Sequence, residues 1–505
     1  MHYFYASFFE RNTMNTINAY ELVRLIDNPK LNERYIRFKL NLDINEDFKY
    51  KQTEIDDINE MLDNLELDYN DAFDFYYSFC IKHLDAEFDL IKTGKDYIID
   101  IEIKHKKIDE SRIKKQLKRN AKYLKFLHQN VISFSYIAEE NKVLVLNDDF
   151  SLVETDMDYM KKCIIECFYK DYDINHIFSA KEMLVSPFNN VEKFLDGKYL
   201  LTDEQENISS SIISKLSHKN DYYAIVGKPG TGKTLLLYDL VKKNEDKRIL
   251  VIHCGQLCQG HNLLKKNLKH IDLIGAKKVS DYLENEYDLI VVDEAQRFYK
   301  HQLDKMLEHC VEANLPCIFS LDPEQRMMKS ELSNRSAERI IELSGKNVYE
   351  LPKKIRISNE LNTFIQGLFD RKKRPQNYPF KNIDIIFEPK KEKLRGHISR
   401  LSSLGYNYIS YTNSRYSTKL DYQDIGSKNT HNVIGQEFNS VCMIIDKNFS
   451  YDDDNKLTSS QHPNNDYLFE KLLYQGLTRA RDKIALIVMD ENMLDEVLQI
   501  TKIKF

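Results

Sequence analysis

No apolar run in the 505-residue sequence approaches the roughly 20 residues that a bilayer-spanning helix needs, so no membrane partner is expected. The first residues lack the basic start, apolar core and small-residue cleavage site of a secretory signal, which points to a cytoplasmic chain. A basic excess is missing too. With a formal net charge of -6 and a pI near 6.2, a global positive field is excluded as the basis of nucleic-acid binding, and only local patches remain for it. The eight cysteines are few for this length and, without a secretion signal, read as reduced thiols rather than a disulfide framework. At roughly 100 to 200 residues per domain, the length calls for about three domains.

What is present begins with GKPGTGKT, Gly227 to Thr234, directly behind the apolar run Tyr223-Ala-Ile-Val226 and ahead of Leu235-Leu-Leu-Tyr-Asp-Leu240. A strand feeding a glycine-rich turn that opens into a helix aims backbone N–H groups at phosphate oxygens. Gly227, Lys228, Pro229, Gly230, Thr231 and Gly232 form that cradle, Lys233 adds charge, and Thr234 offers a hydroxyl to Mg2+. Upstream, Gln205 in Leu201-Thr-Asp-Glu-Gln205 carries an amide donor and acceptor suited to an adenine edge, which makes ATP the expected nucleotide. A buried strand then ends in two acids, Asp288-Leu-Ile-Val-Val-Asp293-Glu294-Ala-Gln296. Asp293 is suited to holding Mg2+ through its water shell and Glu294 to orienting or deprotonating the attacking water. Another apolar strand, Cys317-Ile-Phe-Ser-Leu, ends in Asp322-Pro-Glu-Gln325 and places Gln325 near the terminal phosphate. From about Phe188 onward, repeated strands followed by helices signal parallel sheets, with Ser186-Pro-Phe-Asn-Asn190 as the connector.

The first half has a different pattern. Glu87 to Lys104 reads as two strands joined by a turn at Thr93-Gly94-Lys95. In the second strand Ile99, Ile101 and Ile103 alternate with Asp100, Glu102 and Lys104, so the isoleucines face a core and the charged groups share the other face. A helix over Asp109 to Gln129 and strands at Val131 to Tyr136 and Lys142 to Leu146 follow. Two carboxylates and a lysine on one face, with Asp89 alongside, suit metal-assisted phosphodiester cleavage; the solvated face of an edge strand gives the same letters. Lys104 to Lys107 with Arg112, Lys114, Lys115, Lys118, Arg119 and Lys122 suit a phosphate backbone or an ordinary solvated helix surface. The order helix, hairpin, helix, strand resembles the PD-(D/E)xK nuclease core. That resemblance implies Asp89 as the first acid, Glu102-Ile103-Lys104 as the ExK element, Gln116 as the helix glutamine, and Mg2+ or Mn2+ on Asp89 and Glu102. The sequence departs from it in having Phe88 where a proline is usual, and Asp71 and Asp74 are only candidates for the extra acid. Relatives with an iron-sulfur cluster invite a comparison with Cys80, Cys163 and Cys167, but the fourth ligand and the spacing are missing. Cys163 and Cys167 equally fit one buried helix face, and Cys254 and Cys258 fit loop packing.

Over the last 300 or so residues the motifs resemble superfamily 1 helicases, and more closely the compact Schlafen-like helicase domain. The resemblance implies a phosphate contact for Arg356 in Leu351-Pro-Lys-Lys-Ile-Arg356. It also implies nucleotide and strand contacts for Thr430-His431-Asn-Val-Ile-Gly435-Gln-Glu437-Phe438, with Gly435 and Glu437 at the nucleotide, and transition-state charge from Arg479 in Thr478-Arg479-Ala-Arg481. His253, Gln256 and His261 fall where that family contacts the strand, although capping and loop hydrogen bonds explain them equally. Leu321 and Lys354 depart from the usual pattern, and the short spacing between motifs leaves no room for large inserted subdomains.

The expected fold class is α/β: two RecA-like parallel-sheet lobes at 199–348 and 349–505, preceded by a restriction-endonuclease-like α/β domain at 69–175. A connector spans 176–198, and a helical segment of unassigned role covers 1–68. The fusion resembles bacterial nuclease-helicase immunity proteins that act against phage nucleic acid; the same architecture equally suits repair, or a translocase whose first domain binds or senses nucleic acid without cutting it. It implies ATP, Mg2+ and single-stranded or forked DNA as ligands, with RNA as the alternative substrate. A second copy of the chain or an accessory defence protein is the implied protein partner.

Overall fold

The structure, a computed structural model, describes residues 14–42, 48, 50–81, 84, 86–127, 129–178, 183, 185–216, 221–352, 358–376, 378–412, 428–460 and 466–501. The chain divides into two compact units, Met1–Met183 and Leu184–Phe505. Among the described residues no helix is long and apolar enough to cross a membrane.

In the first unit, helices α1 (Ala19–Val23), α2 (Pro29–Lys39) and α3 (Gln52–Leu65) precede a mixed sheet. Its strands are β1 (Phe75–Ile81), β2 (Ala86–Thr93), β3 (Tyr97–Lys104), β4 (Asn130–Ile137), β5 (Lys142–Leu146) and β6 (Leu152–Thr155), hydrogen-bonded in that order. β2 and β3 form the expected hairpin, in register from Leu90↔Ile101 to Thr93↔Ile98. β3 and β4 are parallel because helix α4 (Glu110–Leu124) carries the chain across between them. Asp109 starts α4 by accepting from the Ser111 amide. The alternation in β3 works as its sequence requires on one face: Ile99 and Ile101 are buried with Leu90 and Phe75 against Ile55, Ile58 and Leu62 of α3. Each such side chain contributes roughly 1.5–3 kcal/mol. The segment through Asp68 therefore shares a core with the sheet instead of standing apart from it. On the other face α4 packs Ile113, Leu117 and Ala121 against Ile137, Leu144 and Leu146, and Asp100 and Glu102 lie buried beneath the helix rather than on a solvated edge.

The second unit holds two parallel sheets. The first lobe has the strand order β12-β7-β11-β10-β8-β9: β7 (Tyr222–Gly227), β8 (Ile249–His253), β9 (Ile271–Gly275), β10 (Leu289–Asp293), β11 (Cys317–Leu321) and β12 (Val348–Leu351). All of its pairings are parallel. Buried on both faces, β10 and β11 read as continuous apolar runs. β12 pairs with β7, so the lobe reaches Leu351, past the boundary expected at residue 348. Val185, Phe188, Val191 and Phe194 pack into the same core, so the second half of the expected connector is structural. The second lobe has the order β13-β18-β15-β14: β13 (Ile383–Phe387), β14 (Asn407–Tyr408), β15 (Phe438–Ile445) and β18 (Ala480–Val488), also parallel. A small hairpin of β16 (Phe449–Tyr451) and β17 (Leu457–Ser459) sits beside it.

Candidate functional site

β7 ends in the glycine-rich turn, and the helix Lys233–Lys243 starts directly after it. Gly230 (φ +78°) and Gly232 (φ +86°) take left-handed backbone that a side chain would strain, the kind of turn in which successive amides can converge on an anion. Lys233 is buried and folds its ammonium back onto the carbonyls of Gly227 (2.6 Å) and Lys228 (3.2 Å), contacts that phosphate oxygens would replace. Gln205 is fully buried. Its carbonyl closes a capping box on Thr202, while its amide donates to Thr231 O at 3.2 Å, so it braces the loop from behind with both ends engaged.

Thr234 Oγ1 lies 3.5 Å from Asp293 Oδ1, and Ser320 donates to the same carboxylate oxygen from the neighbouring strand. Hydroxyls and a carboxylate are the hard oxygen donors that Mg2+ takes, and the set fits that ion. When bound, Mg2+ would neutralise charge on the terminal phosphates. The other Asp293 oxygen pairs with His253 Nδ1 at 3.2 Å. Burial works against ionising Asp293, but the bonds from His253 and Ser320 and the nearby Lys233 charge hold its carboxyl below the ordinary range. Glu294 takes a left-handed backbone (φ +58°), a strain of about 1–3 kcal/mol for a residue with a Cβ, and it sits at the end of the strand where the chemistry is expected. Gln296 donates to Glu294 Oε2 at 2.7 Å and accepts from the Asp322 amide at 3.1 Å, tying the acid to the end of β11. Neither Ser320 nor Gln296 stood out in the sequence as part of the site.

Several candidate residues lie where the lobes meet. Gln325 donates to Gln475 of the helix Phe469–Leu477, so its amide binds the second lobe. Arg479 follows that helix and is nearly buried, directed by the carbonyls of Gln475 (3.3 Å) and Gln436 (3.5 Å). Arg356 lies outside the described residues. Gly435 (φ +75°) packs against Phe188, and Glu437 receives Arg481 through two bonds to one carboxylate oxygen, at 2.7 and 2.9 Å. Both partners of that pair are 9% exposed. Arg481→Ala is therefore expected to destabilise the second lobe by about 3–5 kcal/mol, since it removes the cation from a buried acid. Urea unfolding measures this, and a loss below about 1 kcal/mol would mark the pair as water-screened.

A cleft of about 970 Å³ runs across both lobes. Gln256, Lys265, Lys277, Lys278 and Arg297 line it from the first lobe, and Thr412, Asn429, His431 and Tyr467 line it from the second. Arg297 makes an ion pair with Glu331 at 3.1 Å and approaches His431 Nδ1 at 3.4 Å. Burial, then the charges of Arg297 and Lys277, push His431 down to about 3, so it presents a neutral imidazole. Of the three residues expected to meet a strand, Gln256 lines the cleft, whereas His253 and His261 are fully buried against each other.

In the first unit β3 and α4 bring Glu102, Lys104 and Gln116 together. Lys104 Nζ is 3.1 Å from Glu102, Gln116 donates to the same oxygen, and Asn120 donates to the other at 2.6 Å. Asp89 accepts from the Ile103 amide at 2.8 Å. Burial, then the Glu102 charge, push Asp89 up to about 7, while burial and Asp100 raise Glu102. Asp71 and Asp74 gather instead around Lys92, whose ammonium donates to the Asp71 carbonyl at 2.9 Å. An acid from outside the sheet whose carboxyl feels Asp89 is Glu54 of α3, held by Tyr77 and Lys51 at 3.0 Å each. Asp89 and Glu102 have the donor chemistry for Mg2+ or Mn2+. Both Glu102 oxygens are engaged, however, and among the described residues no group of three or more His, Cys, Asp or Glu is arranged to hold a metal ion. This includes Cys80, Cys163 and Cys167: all eight cysteines are free, and Cys163 and Cys167 belong to the core beside α3.

A glycine-rich loop between strand and helix, an acid pair at the end of a parallel strand and a second parallel-sheet lobe beside them form a site suited to a nucleoside triphosphate. More particularly, residues 220–408 match the family described as Schlafen group 3, DNA/RNA helicase domain. No curated protein matches the chain. Among solved structures it is similar to the Pif1 helicase of Candida albicans (12% identity, 59% of this chain and 98% of that one, TM-score 0.33). It is also similar to a Bacteroides Pif1 bound to single-stranded DNA (13%, 59% and 96%, TM-score 0.32) and to the Arterivirus nonstructural protein 10 helicase (13%, 61% and 65%, TM-score 0.31).

Proposed function

We propose that this chain is an ATP-driven helicase or translocase acting on nucleic acid, with DNA as the expected strand, and that its first unit is a metal-dependent nuclease. The observation that carries the motor reading is the placement of one short segment. Asp293 faces Thr234 of the nucleotide loop, and four residues after Asp293, Arg297 lines the interlobe cleft and touches His431 of the second lobe. A change at the nucleotide would pass through the short 3-10 turn Ala295–Arg297 to the groove where a strand would lie. Lys265, Lys277 and Lys278 supply local positive charge there, as an acidic chain acting on phosphate backbones requires. The match to a DNA/RNA helicase domain supports the same reading. A nuclease joined to such a motor suits degradation of foreign nucleic acid in the cytoplasm, and an anti-phage role is part of the proposal.

A second reading, in which the first unit binds nucleic acid without cutting it, draws on the engagement of both Glu102 oxygens by Gln116 and Asn120. The two separate in a cleavage assay on single-stranded, double-stranded and forked DNA and matched RNA, with Mg2+ or Mn2+, with and without ATP. The nuclease reading predicts cutting by the wild type and its loss, by at least about 100-fold, in Glu102→Ala. The binding reading predicts no cutting by either protein while nucleic acid still accelerates ATP turnover.

A further inference from the structure

The segment Ser186-Pro-Phe-Asn-Asn190 is built into the seam between the two lobes. Ser186 is fully buried and Phe188 is 5% exposed. The Phe188 ring stacks on His261 with centroids 3.9 Å apart, and meets His253 and Tyr238 edge-on at 5.7 and 5.1 Å. Its backbone presses so closely on Gly260 that a Cβ there would come within 2.1 Å of the Phe188 carbonyl. An edge of the ring meets the second lobe: a Cβ on Gly435 would lie 2.8 Å from it, and the neighbouring Asn189 donates to the Glu437 carbonyl.

His253 gives this contact its consequence. One of its ring nitrogens faces Asp293 at 3.2 Å, and the other, Nε2, is buried without a hydrogen-bond partner. His261 Nε2 is in the same condition, and the two imidazoles lie 4.4 Å apart. No second hydrogen bond fixes the tilt of the His253 ring, so aromatic packing must do so, and Phe188 and His261 are the rings against it.

We infer that Phe188 is a positioning residue of the nucleotide site: through the His253 ring it holds Asp293 in the orientation that receives Mg2+, and its edge on Gly435 makes that hold depend on where the second lobe stands. The inference rests on the reading of Asp293 as the magnesium-holding acid. Partners behind a metal ligand commonly govern affinity, and loss of one costs 10–100-fold in metal binding.

The test is ATP turnover titrated with Mg2+ for the wild type, Phe188→Leu, Phe188→Met and the ring-retaining Phe188→Tyr, together with nucleotide binding in EDTA and thermal midpoints. Two aliphatic variants guard against one that does not fold. Phe188→Leu or Phe188→Met is expected to raise half-saturating Mg2+ about tenfold, with magnesium-free nucleotide binding unchanged and Phe188→Tyr close to wild type. A lowered thermal midpoint and kcat with unmoved Mg2+ half-saturation in both aliphatic variants would make Phe188 merely structural and overturn the inference. A wild type whose turnover does not respond to Mg2+ would overturn the reading of Asp293, and the inference with it.

Discussion

Glu294→Gln is expected to lower ATP turnover by about 10²- to 10⁴-fold while leaving nucleotide binding in place, the range over which a positioned general base contributes. Glu294 is 6% exposed and takes a strained left-handed backbone, and its carboxylate is held at 2.7 Å by Gln296. A carboxamide fills the same space and keeps a hydrogen bond to Gln296, but it accepts no proton from water. Lys233, Thr234 and Asp293 are untouched by the change, so a fluorescent nucleotide should bind within a few-fold of wild type. A fall in turnover of less than about tenfold would mean that another group activates the water.

Arg479→Ala is expected to have the largest effect of any single change, about 10³- to 10⁵-fold in kcat, as for other arginines that complete a phosphoryl-transfer site. The residue follows a helix whose Gln475 is bonded to Gln325 of the first lobe, and carbonyls of Gln475 and Gln436 direct its guanidinium. Such an arginine acts when the lobes close, so the loss should fall on kcat with little change in ground-state affinity. Arg479→Lys should recover little, because an ammonium does not reproduce the planar fork. Equal losses in kcat and nucleotide affinity would make the arginine a binding residue instead.

Sequence patterns revealed the parts of this molecule whose chemistry demands fixed local spacing. GKPGTGKT placed Lys233 and Thr234 at the end of a strand, and the apolar run before Asp293-Glu294 placed both acids at the end of another. In the first unit the alternation around Ile99, Ile101 and Ile103 gave the hairpin and its core face. It left hidden that α4 buries Asp100 and Glu102, because a buried charged face and a solvated one share the same period of two. Contacts between segments distant in the chain were equally hidden. Glu54 meets the Asp89 environment from a helix 35 residues upstream, and no local pattern marks it. Ser320 reads as one polar residue in an apolar strand, and Phe188 as an aromatic in a connector rich in Pro and Asn. His253 and His261 have the letters of strand-binding residues, and only packing shows that they face each other and that His253 faces Asp293.

The measurement that tests the central claim most directly is ATP turnover by the purified chain with Mg2+, alone and with saturating single-stranded DNA, forked DNA or RNA, beside Glu294→Gln. A motor whose nucleotide site communicates with the cleft through Arg297 predicts turnover accelerated by at least about tenfold with one of these strands, salt-sensitive, and absent from Glu294→Gln. Turnover present but indifferent to every strand would contradict it and leave an NTPase whose work is not done on nucleic acid.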